Sequence, residues 1–165
     1  MSCSLRRLVL LAFAMTCAGP VLPAQAQLIP HRDLSYATAL TIATGTLDAC
    51  KGMGYAVSVV VLDRGGNAIV TLRADEASPL TMENARRKAY TARMFGISTQ
   101  QFIDEMKTRP VRREQTTLPG VIAINGGVPI KAGSDVIGGV GASGSPGKDE
   151  ECVNAGLAKA KPVLQ

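Results

Sequence analysis

The pattern of apolar and polar positions predicts a helix and then a hairpin in the first half of the chain. A helix is expected from Asp33 or Ser35, either of which can cap it, to about Lys51, because apolar residues recur there at spacings of three and four. Its predicted buried stripe consists of Leu40, Ala43, Leu47 and Cys50. Residues 55–62 and 68–73 are rich in β-branched side chains and flank a glycine-containing turn, which predicts a hairpin.

Two further helices are predicted between residues 78 and 107. The first begins at Ser78-Pro79 and runs to about Phe95, and the small residues on one of its faces would let it lie close to a sheet. That face holds Thr81, Ala85, Ala89 and Ala92. Ser98 and Gln101 resemble a capping box for a shorter helix that ends near Lys107. Residues 109–119 contain two prolines and three arginines and are expected to form a surface loop.

The segment from residue 120 to 154 predicts three short strands and a final helix. Apolar runs at 121–124, 128–131 and 136–142 are separated by glycine-rich turns. Ser145 is the expected N-cap of the last helix, with Pro146 at its first position. Because strands cluster as hairpins instead of alternating with helices, we expect an α+β fold in which helices cover an antiparallel sheet.

The N-terminal residues resemble a secretory signal peptide. Arg6 and Arg7 precede a short apolar run, and an Ala-x-Ala motif predicts cleavage between Ala26 and Gln27. Lipidation at Cys17 is the alternative. We therefore expect a signal peptide at 1–26, one domain at 27–165, a periplasmic or secreted location and no membrane span.

Charge and cysteine content narrow the functional classes. Removal of the signal lowers the formal net charge from +5 to +3, and the chain has three Phe, three Tyr and no Trp, which argues against nucleic-acid binding. Cys50 and Cys152 remain, on the first and last predicted helices. They are expected to form a disulfide if those helices lie side by side, and two buried thiols are the alternative.

Five motifs resemble one protein family. They are VVLDRGG at 60–66, RAD at 73–75, KAYTA at 88–92, GGVPI at 126–130, and VIGGVGASG at 136–144 followed by Asp149 and Glu150. In this order they resemble the GlcG/HbpS-like, haem-degrading-domain family (DUF336), which includes the C-terminal domain of PduO-type proteins. The resemblance spans about residues 34–161. It implies a five-stranded antiparallel sheet flanked by helices, in a profilin-like layout, and assembly into homo-oligomers.

The resemblance implies the fold more firmly than the activity. It favours a secreted protein that binds haem or another tetrapyrrole, and haem degradation is the activity that the family's description adds. The alternative is an enzyme or binding protein for a small hydroxy- or oxo-acid in a glycolate-type pathway, and a third hypothesis is a structural or sensory partner without a ligand. Whether the protein is an enzyme stays open at this point.

The candidate ligand-binding residues follow from these hypotheses. His31 is the single histidine, so multi-histidine metal sites and catalytic triads are excluded; it could ligate haem iron, or simply be exposed. Arg73, Arg86, Lys88 and Arg93 could pair with haem propionates, or simply be solvated at the surface. Tyr90 shares a face of the second helix with Arg86 and Arg93. Gly126 and Gly127 could offer backbone N–H groups to an anion, although turn formation and close packing also explain them. Other potential iron ligands are Tyr36, Tyr55, Tyr90, Met53, Met82, Met94 and Met106, although methionines at helical spacing more often fill a core.

Overall fold

Residues 29–164, the part of the chain that the computed structural model describes, contain five α-helices and four β-strands. In chain order these are α1 (Tyr36–Gly52), β1 (Ser58–Leu62), β2 (Ala68–Arg73), α2 (Leu80–Phe95), α3 (Thr99–Glu105), α4 (Val111–Gln115), β3 (Gly127–Ala132), β4 (Asp135–Ser143) and α5 (Asp149–Ala160). A 3₁₀ turn, Lys161–Val163, follows α5. Within the described residues, no helix has the length and apolar character needed to cross a bilayer. The predicted signal peptide lies outside these residues.

The four strands form one antiparallel sheet in the order β2-β1-β4-β3. The expectation of an antiparallel sheet with helices on its faces is therefore confirmed, but the expected fifth strand is wrong. Residues 121–124 do not pair with a strand, and two of their backbone groups bond to side chains of α2 instead. Arg87 Nη2 donates to the Val121 carbonyl at 2.6 Å, and the Ile122 amide donates to Thr91 Oγ1 at 2.9 Å.

Two further local predictions are wrong. The segment 109–119 is not entirely a loop, because α4 forms within it after Pro110, which occupies the N-cap position. The last helix begins at Asp149, with Lys148 as its N-cap, and not at Ser145-Pro146. Ser145 Oγ donates instead to the Asp149 carboxylate at 2.7 Å, so this serine fixes a side chain inside the protein and does not cap the helix.

Helices α1 and α5 pack together on one face of the sheet. The predicted Cys50–Cys152 disulfide joins them, with the two Cα atoms 5.3 Å apart. Gly156 of α5 lies against the backbone of α1, where a side chain at this position would collide with Ile42 and Thr46. The predicted α1 stripe is confirmed at its Ala and Cys positions, whereas Leu40 and Leu47 are only half-buried at its edge. These two helices and the sheet enclose the larger hydrophobic core.

Helix α2 covers the opposite face of the sheet. Its Ala85 and Ala89 pack on Val60 and Leu62 of β1, which confirms the small-residue face of the predicted second helix. Over β4, the α2 backbone contacts Gly139 and Gly141, where any Cβ would overlap with it. The glycines of β4 therefore let the backbone of α2 approach the sheet closely.

Candidate functional site

The predicted binding residue Lys88 lies inside the protein and not at a ligand-accessible surface. Its Nζ lies 2.6 Å from Asp149 Oδ2 and donates to the Ala142 carbonyl at 2.9 Å. The exposed fraction is 2% for the Lys88 side chain and 9% for that of Asp149. The Ser145 amide and hydroxyl donate to the other carboxylate oxygen at 2.9 and 2.7 Å. Lys88 therefore connects α2, β4 and α5, and it has no exposed donor for a haem propionate.

Gly126 and Gly127 pack directly beside this buried ion pair. Gly126 adopts a φ of 117°, and its carbonyl accepts a hydrogen bond from the Ala142 amide at 2.9 Å. The Gly127 amide donates to Thr99 Oγ1 at 2.9 Å, and a side chain at Gly127 would overlap with the Lys88 backbone. Turn formation and close packing thus explain both glycines, and the Gly127 amide is already paired.

Arg86 and Tyr90 lie one helical turn apart on the outer part of α2. The Glu83 carboxylate accepts from Arg86 Nε and Nη2 at 2.8 and 2.7 Å, which raises the pKa of the guanidinium above its ordinary value and lowers that of the Glu83 carboxyl. The Tyr90 ring is half-buried between the glycines at positions 66 and 120. Arg73 is exposed at the end of β2.

His31 is exposed at the start of the segment that leads into α1. This segment is held at the end of the sheet where the β3–β4 turn lies. Arg64 Nη2 donates to the Arg32 carbonyl at 2.8 Å and Arg64 Nε lies 3.1 Å from Asp33 Oδ1, while Arg32 Nη2 donates to the Ala132 carbonyl at 3.3 Å. The only histidine of the sequence is thus next in the chain to a residue that contacts the β3–β4 turn.

An open groove of about 410 Å³ lies at the same end of the molecule, between β3 and α5. Apolar side chains form much of it, and lysines at positions 131 and 161 border it. The lining residues are Pro129, Lys131, Gly133, Leu157, Ala158, Lys161 and Leu164. Both lysines are exposed, and among residues 29–164 neither takes part in a salt bridge. We call this feature the lysine groove.

Sequence reasoning missed the lysine groove. Lys131 and Lys161 are thirty positions apart and belong to different kinds of element, so no periodicity links them. They come together because α5 returns along the sheet and ends near the β3–β4 turn. The one sequence signal was that a chain-turning residue follows each lysine closely, Gly133 two positions after Lys131 and Pro162 directly after Lys161.

The lysine groove has the chemistry that a haem or another tetrapyrrole needs. Ligand sites commonly enclose about 300–1,000 Å³ and combine apolar walls with a few polar groups. Here the apolar walls suit a flat macrocycle, and two unpaired ammonium groups suit its carboxylates. A histidine nitrogen is a known axial ligand of haem iron, and His31 is close in sequence to residues that contact the groove end. The residues present therefore fit this group.

The fold defines an α+β domain with helices on both faces of an antiparallel sheet. The family model described as haem-degrading protein HbpS-like matches residues 34–158, so the chain belongs to the HbpS-like family. It is 33% identical over 102 residues to Protein GlcG of Escherichia coli K12, a match that covers 62% of this chain and 74% of GlcG.

Solved structures agree with the family assignment. A double mutant of HbpS from Streptomyces reticuli is similar with a TM-score of 0.76 and 32% identity, covering 87% of this chain and 97% of the other. A PduOC–haem complex is similar with a TM-score of 0.69 and 24% identity, covering 78% and 95%. At 24% identity, the similarity to the PduOC structure shows only that the two chains share a fold.

Proposed function

We propose that this protein binds haem or a closely related tetrapyrrole in the lysine groove. The observation that carries the proposal is the pair of unpaired lysines, Lys131 and Lys161, at the border of an apolar groove. Two cations beside an apolar surface complement a ligand that is flat, largely apolar and doubly anionic. The family description and the haem-bound PduOC relative support this choice of ligand class.

In this proposal different residues of the chain contact the macrocycle, its carboxylates and its iron. Leu157, Leu164 and Pro129 cover the apolar face of the macrocycle and keep water from it. The two lysine ammonium groups hold the carboxylates, and Lys161 also follows the C-terminal end of α5, where a positive charge is favourable. His31 is the proposed axial ligand. Haem, when bound, supplies a redox-active iron.

Titration of the mature protein with haemin, followed by the Soret absorbance, tests the proposal. We expect saturable binding, and we expect Lys131→Gln combined with Lys161→Gln to weaken it at least tenfold. The matched control is Lys51→Gln combined with Lys148→Gln, which removes the same charge from exposed positions outside the groove. Equal weakening by both pairs, or no saturable binding by the wild type, would contradict the proposal.

The variant His31→Ala tests whether His31 coordinates the haem iron, separately from whether the lysine groove binds haemin. We expect this variant to bind haemin with a shifted Soret maximum, because the carboxylate and apolar contacts remain. An unchanged spectrum would remove His31 as the ligand. If the Soret band is lost over time with ascorbate but not without it, the protein degrades haem as well as binding it.

We also propose that the mature chain begins at Gln27, acts outside the cytoplasm and assembles into a homo-oligomer. A disulfide between α1 and α5 supports an oxidising compartment. Mass spectrometry of the exported protein tests the cleavage position, and light scattering tests assembly. A cytoplasmic full-length chain, or a monomer at micromolar concentration, would contradict these expectations.

A further inference from the structure

Asn125 lies in the bend that leads into β3, and a glycine follows it. Its Nδ2 donates to Glu150 Oε2 at 2.9 Å and to Gln100 Oε1 at 3.2 Å, and the residue is half-buried, so water reaches it. The other asparagines of the chain, at positions 67, 84 and 154, each precede an alanine. Because glycine has no side chain, Asn125 is the asparagine whose carboxamide carbon the next backbone nitrogen approaches with the least hindrance.

That backbone nitrogen belongs to Gly126, which lies immediately before β3. Its carbonyl accepts a hydrogen bond from the Ala142 amide at 2.9 Å, but within residues 29–164 its own N–H donates none. Attack by this nitrogen on the preceding side chain therefore breaks no backbone hydrogen bond of the fold.

The packing around position 126 requires the glycine. Its φ of 117° lies in a region that residues with a side chain rarely adopt. A Cβ there would lie 2.5 Å from Asp149 Cβ, 2.8 Å from the Ala142 carbonyl oxygen and 3.2 Å from Lys88 Nζ. The Asn-Gly pair is thus fixed beside the buried ion pair, at a point where a bulkier residue in place of the glycine would not fit.

We propose that Asn125 is a site of spontaneous deamidation. The Gly126 nitrogen forms a bond to Asn125 Cγ, the Cγ–Nδ2 bond breaks, and ammonia leaves with the proton that the Gly126 amide gives up. Water then opens the succinimide ring at one or the other of its carbonyl carbons. The products are isoaspartate and aspartate, and the chemistry requires neither an enzyme nor the lysine groove.

Both products disturb the contacts around the buried ion pair. Aspartate places a carboxylate where the amide donor now lies 2.9 Å from Glu150, and the two like charges repel. Isoaspartate lengthens the main chain by one carbon directly before Gly126, which packs against Asp149. The pairing of Gly127 with Gly141 at the start of β3 follows at the next residue. The modified protein is therefore expected to be less stable than the unmodified one.

Peptide mapping by mass spectrometry, during incubation of the mature protein at mildly alkaline pH, tests the site. Asn67 is the internal control, because it is exposed and its Nδ2 also donates to a carboxylate, that of Asp63, at 3.2 Å, but an alanine follows it. We expect Asn125 to be converted roughly tenfold faster than Asn67 or more, with isoaspartate among the products. Equal rates would overturn the proposal, as would an Asn125 that reacts in urea but stays intact in the folded protein.

The variant Asn125→Gln connects the modification to stability. Its longer side chain would have to close a larger and slower-forming ring, so its Tm should not change during the same incubation. The Tm of the wild type should fall as isoaspartate accumulates, and Asn125→Asp should melt below the wild type before any incubation. A wild type that accumulates isoaspartate at an unchanged Tm would contradict the predicted effect on the buried ion pair. The comparison with Asn67 uses the wild type alone, so it remains decisive if a variant does not fold.

Discussion

Replacing Lys88 with methionine should destabilise the fold far more than an ordinary lysine substitution does. Methionine keeps most of the apolar stem but removes the ammonium group that lies 2.6 Å from the Asp149 carboxylate. The carboxylate then stays buried, with the Ser145 amide and hydroxyl as its remaining donors. Removing one partner of a buried ion pair costs about 3–5 kcal/mol, because the other charge is left without compensation.

An exposed ion pair of similar geometry provides the control. Lys148 Nζ lies 2.8 Å from Glu151, but these side chains are 49% and 60% exposed. Lys148→Met should therefore leave the urea midpoint close to that of the wild type, as solvent screens such pairs. The contrast between the two methionine variants isolates the effect of burial, since charge change and side-chain chemistry are the same.

Urea unfolding followed by circular dichroism measures both variants. For a domain of this size the Lys88→Met loss corresponds to a fall in Tm of roughly 10–20 °C. The double variant Lys88→Met with Asp149→Leu should be more stable than Asp149→Leu alone, because it leaves no buried charge. A loss below about 1 kcal/mol for Lys88→Met, or a double variant less stable than both single ones, would refute the reasoning.

Three further predictions concern the disulfide, the sheet and acid stability. The disulfide closes a span of 102 residues, so Cys50→Ala with Cys152→Ala should lower the free energy of unfolding by about 4–5 kcal/mol in urea melts, and an unchanged midpoint would contradict this. Gly141→Ala places a Cβ against the backbone of α2 and should cost about 1–3 kcal/mol, whereas Gly52→Ala, with open space around it, should be nearly neutral. The hydrogen bonds from its arginine partner lower the pKa of Glu83 below its ordinary value of 4.5. Their contribution is present above about pH 4.5 and is lost as pH falls through the depressed pKa, so the drop in Tm from pH 6 to pH 3 should be smaller in Glu83→Gln than in wild type.

Local pattern and turn chemistry predicted most of the fold. The strands β1, β2, β3 and β4 and the helices α1, α2 and α3 form where β-branched runs, small-residue spacing and a capping box indicate them. The failure at 121–124 has a definite cause, since a β-type run becomes a strand only if a neighbouring strand is available. Here Thr91 and Arg87 of α2 bind its backbone instead, and no local signal shows that.

The candidate site was less predictable because its residues are distant in sequence. Arg86 and Tyr90 do lie on one side of α2, as helical spacing indicates, and both are half-buried. Lys88, two positions from each, is buried because Asp149 of α5 reaches it, and the charge pattern of α2 alone gives no sign of a partner 61 positions later. The lysine groove likewise depends on where α5 ends relative to β3, which is a property of the tertiary structure.

The site of tetrapyrrole binding can be located directly by nuclear magnetic resonance. We would titrate ¹⁵N-labelled mature protein with gallium protoporphyrin IX, a diamagnetic analogue of haem, and record backbone amide shifts. The account predicts that the largest changes fall in residues 127–133 and 157–164, which form the lysine groove. Changes concentrated in α2, or spread evenly over the surface, would contradict it.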